Sequence, residues 1–374
     1  MSMRRLISFG TAILLAAALL SVPIGSQADS GVPTVSAKGA ILIEASSGRV
    51  LMEKNADMTL EPASTTKIMT ALLAIESGML DRIVTVSDRA AGTEGSSLYL
   101  KEGETLPLIE LVYGLMLQSG NDAAIAIAEA VASSVESFVE MMNAKVDSLG
   151  LRQTHFENPN GLHAEGHHTT ARELCVIAAH AMQNPIFREV VATQSRTAKG
   201  CSVPHTFRNK NKFLTQYEGC NGVKTGYTKA AGKCLVFAAQ RNGMQLIGVV
   251  LNAPSMWDDA RALLDYGFST YELQRPVSSD EIFSVRVENG ERYSLPVRTK
   301  CDILYPIRSD GTESLTVSKH LAESFPAPIA AGDALGEIRV FLNGTLLTTV
   351  PIVATESVPA KSFRSRWMEL LERW

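Results

Sequence analysis

Helical periodicity fills the middle of this chain and strand-like runs stand on both sides of it, an order that restricts the fold more than any single residue does. Ala40-Ile41-Leu42-Ile43-Glu44-Ala45, a turn ending at Gly48, and Arg49-Val50-Leu51-Met52-Glu53 read as a hairpin. Over 64–76 the apolar residues Ile68, Leu72 and Ile75 recur at three- and four-residue steps behind Pro62, which predicts a helix with Ser64 at its start. The same spacing returns over 105–117, 122–131, 135–149 and 170–182. Strands are predicted at 234–239 and 246–251, joined by a turn at Arg241-Asn242-Gly243, and a helix over 256–273 closes the segment. Strands early and late around a helical middle predict an α+β fold, an antiparallel sheet with helices packed on it.

Beyond Pro276 the texture changes to short alternating segments at 282–287, 293–297, 337–342 and 346–353, divided by Asn-Gly turns at Asn289 and Asn343. This predicts a small all-β domain over 277–356. It gathers no set of nucleophile, acid and base, and so reads as a spacer or interaction module.

The two ends are different again. Residues 1–28 carry Arg4 and Arg5, an apolar run over 6–20 and the small residues Ser26 and Ala28, which predicts a signal peptide cleaved after Ala28 and an exported protein. A polar linker over 29–37 leads into the first domain, 38–273. At the far end, 360–374 places Phe363, Trp367, Leu370, Leu371 and Trp374 on one helical stripe, with Lys361, Arg364, Arg366 and Arg373 as cations. Such a helix can lie in a membrane interface; the alternative is packing on the β domain.

At 374 residues, 45% hydrophobic and 20% charged, the chain fits two globular domains. Its net charge of −4 becomes −6 once Arg4 and Arg5 are removed with the signal peptide, which argues against nucleic acid as a partner. Five cysteines, Cys175, Cys201, Cys220, Cys234 and Cys301, are an odd number without a C-x-x-C, so at least one has no partner within the chain. In an oxidising medium Cys201 could pair with Cys220 or Cys234. His155, His163, His167 and His168 cluster, but no complete zinc set accompanies them, and structural hydrogen bonding beneath a site is the preferred reading. No metal and no cofactor is expected.

Three short motifs carry chemistry. Ser64-Thr65-Thr66-Lys67 puts a hydroxyl and an amine on one helix face at i and i+3, near the positive end of a helix dipole. A second cation near Lys67 would lower its pKa and let it take the serine proton. Ser119-Gly120-Asn121 falls between helices, where a hydroxyl and an amide can be aimed inward. Lys224-Thr225-Gly226 lies just before the strand expected at Cys234, with a glycine that lets a ligand approach the backbone. Each triplet is weak alone; in this order they form the S-x-x-K, S-x-N, K-T-G set.

With the stretches Glu61-Pro62-Ala63-Ser64-Thr65-Thr66-Lys67-Ile68-Met69-Thr70, Gly114-Leu115-Met116-Leu117-Gln118-Ser119-Gly120-Asn121-Asp122-Ala123-Ala124, His155-Phe156-Glu157-Asn158-Pro159-Asn160-Gly161-Leu162-His163 and Gly222-Val223-Lys224-Thr225-Gly226-Tyr227-Thr228, the chain resembles the low-molecular-mass penicillin-binding proteins, the serine D-Ala-D-Ala carboxypeptidases. The likeness is dense over 38–270 and holds in outline for the β domain. It implies a penicillin-binding, β-lactamase-like transpeptidase domain and removal of the terminal D-alanine from peptidoglycan stem peptides through a Ser64 acyl-enzyme, with β-lactams as covalent inhibitors. It further implies Lys67 as base, Ser119 and Asn121 as proton-shuttle and substrate-amide contacts, Lys224 with Thr225 as the carboxylate clamp, and the N–H groups of Ser64 and Tyr227 as oxyanion donors. One departure is Glu173, after Thr170-Ala171-Arg172, where the family tends to have aspartate. Two other readings compete. A β-lactamase would need a deacylation base, and no E-x-x-L-N segment lies between Ser119 and Lys224. A catalytically idle cell-wall binding protein would not need the nucleophile and lysines.

Overall fold

The computed structural model describes residues 31–363 together with 367, 368 and 371. The expected signal peptide and its cleavage site lie outside these. A short first unit, Met1–Pro33, precedes one compact unit, Thr34–Trp374, to which everything below belongs.

Five antiparallel strands form the first sheet in the order Val50–Lys54, Gly39–Glu44, Met244–Leu251, Gly232–Arg241, Cys220–Thr228. The period of two sorts its side chains between two cores. Ile41, Ile43, Val236, Ile247 and Val249 point into the larger one with the helices of the middle segment, including Lys67–Glu76, Leu108–Leu117 and Ala171–Ala181. Leu42, Leu235, Phe237, Leu246 and Val250 point the other way, onto the helix Met256–Thr270. The result is three layers with both sheet faces covered, which explains why Gly39–Glu44 is apolar up to its last residue, Glu44, and buried at every position. Residues 35–37, read above as the end of a linker, are held down by Asp259, whose carboxylate accepts from the N–H groups of Ser36 and Ala37.

Local rules place most boundaries. Thr170 caps Ala171–Ala181 by accepting from the Glu173 N–H, Ser134 caps Val135–Ser148 through Ser137, and Asn184 caps Pro185–Ala192 with Pro185 in the first turn. The hairpin turn at Asn242-Gly243 has positive φ at both residues, 49° and 81°. Three expectations change. Residues 105–107 form the strand Thr105–Pro107, paired with Ile83–Thr85, and the helix starts at Leu108, because Pro107 suits the start of a helix and not its interior. The helix expected to run to 273 stops at Thr270, where the chain turns into the strand Tyr271–Val277. Lys224-Thr225-Gly226 does not precede a strand but sits inside one, the edge strand Cys220–Thr228, which its glycines and polar residues conceal.

The remainder is all β among the described residues, apart from the end of the chain. A six-stranded sheet runs in the order Leu315–Leu321, Ala334–Leu342, Thr345–Ala354, Ser294–Thr299, Ile282–Glu288, Ser324–Pro326, and Tyr271–Val277 pairs separately with Ile303–Arg308. Its core is aliphatic, built on Val285, Leu295, Val297, Val340 and Ile352. None of the five cysteines is paired; Cys201, Cys220 and Cys234 are free thiols.

Candidate active site

Where the 3₁₀ turn Ala63–Thr66 runs into the helix Lys67–Glu76, Ser64 is half-buried and Lys67 is fully enclosed. The helix therefore begins at Lys67, with Ser64 on the tighter turn ahead of it, and the i, i+3 relation survives: Lys67 Nζ stands 3.0 Å from Ser64 Oγ. The amine also donates to Asn121 Oδ1 at 2.7 Å and to the main-chain carbonyl of Asn160. Asn121 is the first residue of the helix Asn121–Ala132, and its amide is oriented by donating to the Glu94 carbonyl at 2.6 Å.

Ser119 is buried with φ of +66°, and its Oγ has no hydrogen-bond partner among the described residues. A hydroxyl left unsatisfied in a buried position is costly. Lys224 is buried on the edge strand, its Nζ donating, among the described residues, only to the neighbouring Thr225 carbonyl at 2.9 Å. Gly226 lies against the serine turn: a Cβ placed there would sit 3.1 Å from Ser64 N, Thr65 N and Pro62 O, so a side chain would push the strand off the turn. Tyr227 turns its ring to solvent, 65% exposed. Gly226, Ser64, Lys67 and Asn121 thus form a chain of contacts across four elements, while Ser119 Oγ and Lys224 Nζ make no direct bond to them.

The electrostatics follow from burial. Desolvation, then the charges of Lys224 and Lys210, hold Lys67 well below the ordinary lysine range, with Asp122 opposing them. Desolvation and Lys210 bring Lys224 down to about 7. One amine therefore holds its proton more weakly than an ordinary lysine, near a second brought down to about 7.

Residues 26–255 match the family model described as D-alanyl-D-alanine carboxypeptidase, and 271–360 match the C-terminal domain of penicillin-binding protein 5. The chain belongs to the D-alanyl-D-alanine carboxypeptidases. Among curated relatives, the D-alanyl-D-alanine carboxypeptidase DacF of Bacillus subtilis is 33% identical over 340 residues, 87% of each chain. DacA of Escherichia coli is 32% identical over 362 residues, 91% of this chain and 88% of its own. Penicillin-binding protein 5 from Haemophilus influenzae superposes with a TM-score of 0.73 at 27% identity, covering 87% of this chain and 98% of that one. As a member of this family the carboxypeptidase is a serine peptidase that takes peptidoglycan stem peptides and binds β-lactams, and it works outside the cytoplasm.

Four residues of the carboxypeptidase site are given no role by the motifs, although Asp122 and Asn160 lie inside the stretches quoted above. Asp122, fully buried, accepts from Ser97 Oγ and from the N–H groups of Leu98 and Leu100, tying the loop over 96–100 to the helix that carries Asn121. Lys210 is a third amine whose charge lowers the proton affinity of the other two, and only its location in the fold reveals it. Asn160 contributes a carbonyl, which has no sequence signal of its own. His167, flagged only as one of a histidine cluster, is buried and within 2.8 Å of Thr66 Oγ1. Glu173, the departure noted above, accepts from the N–H groups of Arg152 and Gln153 and from Thr154 Oγ1, away from the serine.

Proposed function

We propose that this carboxypeptidase works through a Ser64 acyl-enzyme. Lys67, as a neutral amine, takes the Ser64 proton while Oγ attacks the carbonyl of the penultimate D-alanine. The N–H groups of Ser64 and Tyr227 receive the oxyanion. Collapse of the tetrahedral adduct expels D-alanine, whose nitrogen takes a proton relayed through Ser119, and water then releases the shortened peptide and frees Ser64. Lys224 and Thr225, with Gly226 giving backbone access, hold the terminal carboxylate, and Asn121 meets the substrate amide.

The observation that carries this reading is the setting of the Lys67 amine. Two acceptors, Asn121 Oδ1 and the Asn160 carbonyl, take both hydrogens of a neutral amine and leave its lone pair for the Ser64 hydroxyl at 3.0 Å. The unbonded Ser119 Oγ suits a group reserved for substrate. Cys220–Thr228 is the last strand of its sheet, an open edge along which an extended peptide can pair. Incubation with labelled penicillin and with a peptide ending in D-Ala-D-Ala tests the assignment. Wild type should carry a long-lived adduct and release D-alanine, and Ser64→Ala should lose both by at least about a thousandfold. An undiminished Ser64→Ala enzyme would remove Ser64 from the mechanism, and rapid turnover of penicillin by wild type would favour the β-lactamase.

We further propose a division of labour in which 38–273 does the chemistry, 277–356 is a spacer, and 360–374 rests on the outer face of the membrane after export. Supporting this, the described residues near the end, Phe363, Trp367, Met368 and Leu371, are 52–82% exposed, with the rings of Phe363 and Trp367 stacked at 6.3 Å. Exposed aromatics at this density suit a lipid interface rather than water. Leu370 and Trp374 of the same stripe lie outside the described residues. No helix among the described residues is long and apolar enough to cross a membrane, so attachment would be lateral. Truncation after Ala360 should release the protein from the membrane fraction with its D-alanine release intact; continued sedimentation with membranes would refute the anchor.

A further inference from the structure

The segment 157–168 forms a cradle beneath the serine turn. The Pro159 carbonyl accepts from Thr70 Oγ1 at 2.6 Å, and the Asn160 carbonyl accepts from Lys67 Nζ. Gly161, at φ of +81°, runs so close to Ala63 that any Cβ would fall within 1.9 Å of the Ala63 carbonyl oxygen. Asn158 shapes this turn by accepting from the Gly161 N–H at 2.7 Å and donating to the Leu162 carbonyl. All of these contacts reach the turn through main-chain atoms of the cradle. His167 is the exception, reaching Thr66 Oγ1 with its side chain at 2.8 Å.

The imidazole has one arrangement that satisfies both neighbours. Its Nδ1 accepts from the Glu157 N–H at 3.0 Å, so the proton sits on Nε2 and donates to Thr66 Oγ1. Burial first, then His155, His168 and Lys67, push His167 down to about 4, so this neutral tautomer holds at any pH where the enzyme works. The ring is further fixed edge-on against Phe156, at 5.5 Å between centroids. Thr66 is itself buried and stands between Ser64 and Lys67 in sequence, so its side-chain oxygen is a direct handle on the turn that presents both.

We propose that His167 is a positioning residue for acylation: through Thr66 it clamps the serine turn onto the cradle and thereby sets the Ser64 to Lys67 geometry. The proposal rests on the assignment of Ser64 and Lys67 given above. His167 touches neither substrate nor the reacting atoms. A shift of the turn by a fraction of an ångström acts on rate, because the proton transfer depends on the Oγ to Nζ distance.

The test uses full-length protein with a fluorescent penicillin and a D-Ala-D-Ala peptide. His167→Leu and Thr66→Val should each lower the acylation rate constant by about tenfold, with peptide KM changed by less than about twofold. Combined, they should be no slower than about twofold below either alone, since both remove one bond. His167→Gln, which offers an acceptor and a donor at similar spacing, should return to within about threefold of wild type. If His167→Leu does not fold, Thr66→Val against Thr66→Ser decides alone, the serine variant acylating like wild type and the valine variant slowly. A full-rate Thr66→Val, an additive double variant, or a His167→Gln as slow as the leucine variant overturns the proposal. Absence of any adduct on wild type would instead sink the Ser64 assignment.

Discussion

The catalytic and β domains treat charge in opposite ways. Around the serine turn Lys67, Asp122 and Lys224 are withdrawn from water. In the β domain the described ion pairs lie mostly at the surface, as between Arg292 and Glu356 or Arg339 and Glu337, the largely covered pair being Glu313 with Arg49 of the first domain, and Thr299 is the sole buried polar residue described from Tyr271 onward. Burying a lysine destabilises a fold unless something compensates, and among the described residues Lys224 has one carbonyl and no carboxylate. A domain that accepts this penalty gains amines whose proton affinity is tuned for chemistry. A domain that avoids it gains a simple aliphatic core and no reactivity.

The sharpest way to break this contrast is to remove a buried charge. On the proposed assignment, Lys224→Met should lower kcat/KM for a carboxylate-terminated peptide by on the order of a hundredfold, as loss of a buried ionic partner does. The same change should leave the fold as stable or raise the melting temperature by roughly 2–4 °C at pH 7. The sign follows from linkage: Lys224 titrates at about 7 when folded, and the unfolded lysine holds its proton up to roughly 10.4, so between these values the unfolded chain binds more protons and stability climbs with pH. Replacing the lysine removes that deficit at neutral pH. A variant that loses both activity and stability would show that Lys224 is a structural residue.

A smaller effect lies in the pH profile. On the proposed assignment Lys67 must be neutral to act, so kcat/KM should rise with pH through its lowered pKa; Lys224 must be charged, so kcat/KM should fall above about 7, by about tenfold per unit. Because Lys210 pulls Lys224 down, Lys210→Met should move the alkaline limb to higher pH. An unmoved limb would assign it to another group.

Least of all should activity respond to the β domain. Leu295→Ala, at a site with no exposure, should cost about 2–5 kcal/mol of that domain's stability and leave kcat/KM within about twofold. Calorimetry with a parallel D-alanine assay checks it, and a matched loss of activity would erase the contrast between the two domains.

Much of this was legible in the residues themselves. Capping residues, the Asn-Gly turns and the periodicities of two and 3.6 are local, so Ala171–Ala181 and Gly232–Arg241 lie close to where their patterns put them. Ser64, Lys67 and Asn121 were legible because a helical repeat and a conjunction of motifs need no knowledge of the rest of the chain. What escaped was set by distant partners. The strand Cys220–Thr228 has weak strand character and owes its conformation to pairing with Gly232–Arg241. A cysteine pattern that allowed a bridge became five free thiols, because pairing depends on where the sheets and loops carry them.

The order of residues alone determined the layers, the turn that holds Ser64 over Lys67, and the identity of the groups able to do acyl transfer. Only the tertiary structure decided their surroundings: which lysine is stripped of water, which carbonyl receives it, and which histidine bonds the turn. Those depend on desolvation and on main-chain atoms, and neither is written in residue type, since every residue carries the same carbonyl and a lysine is buried or exposed according to what folds over it.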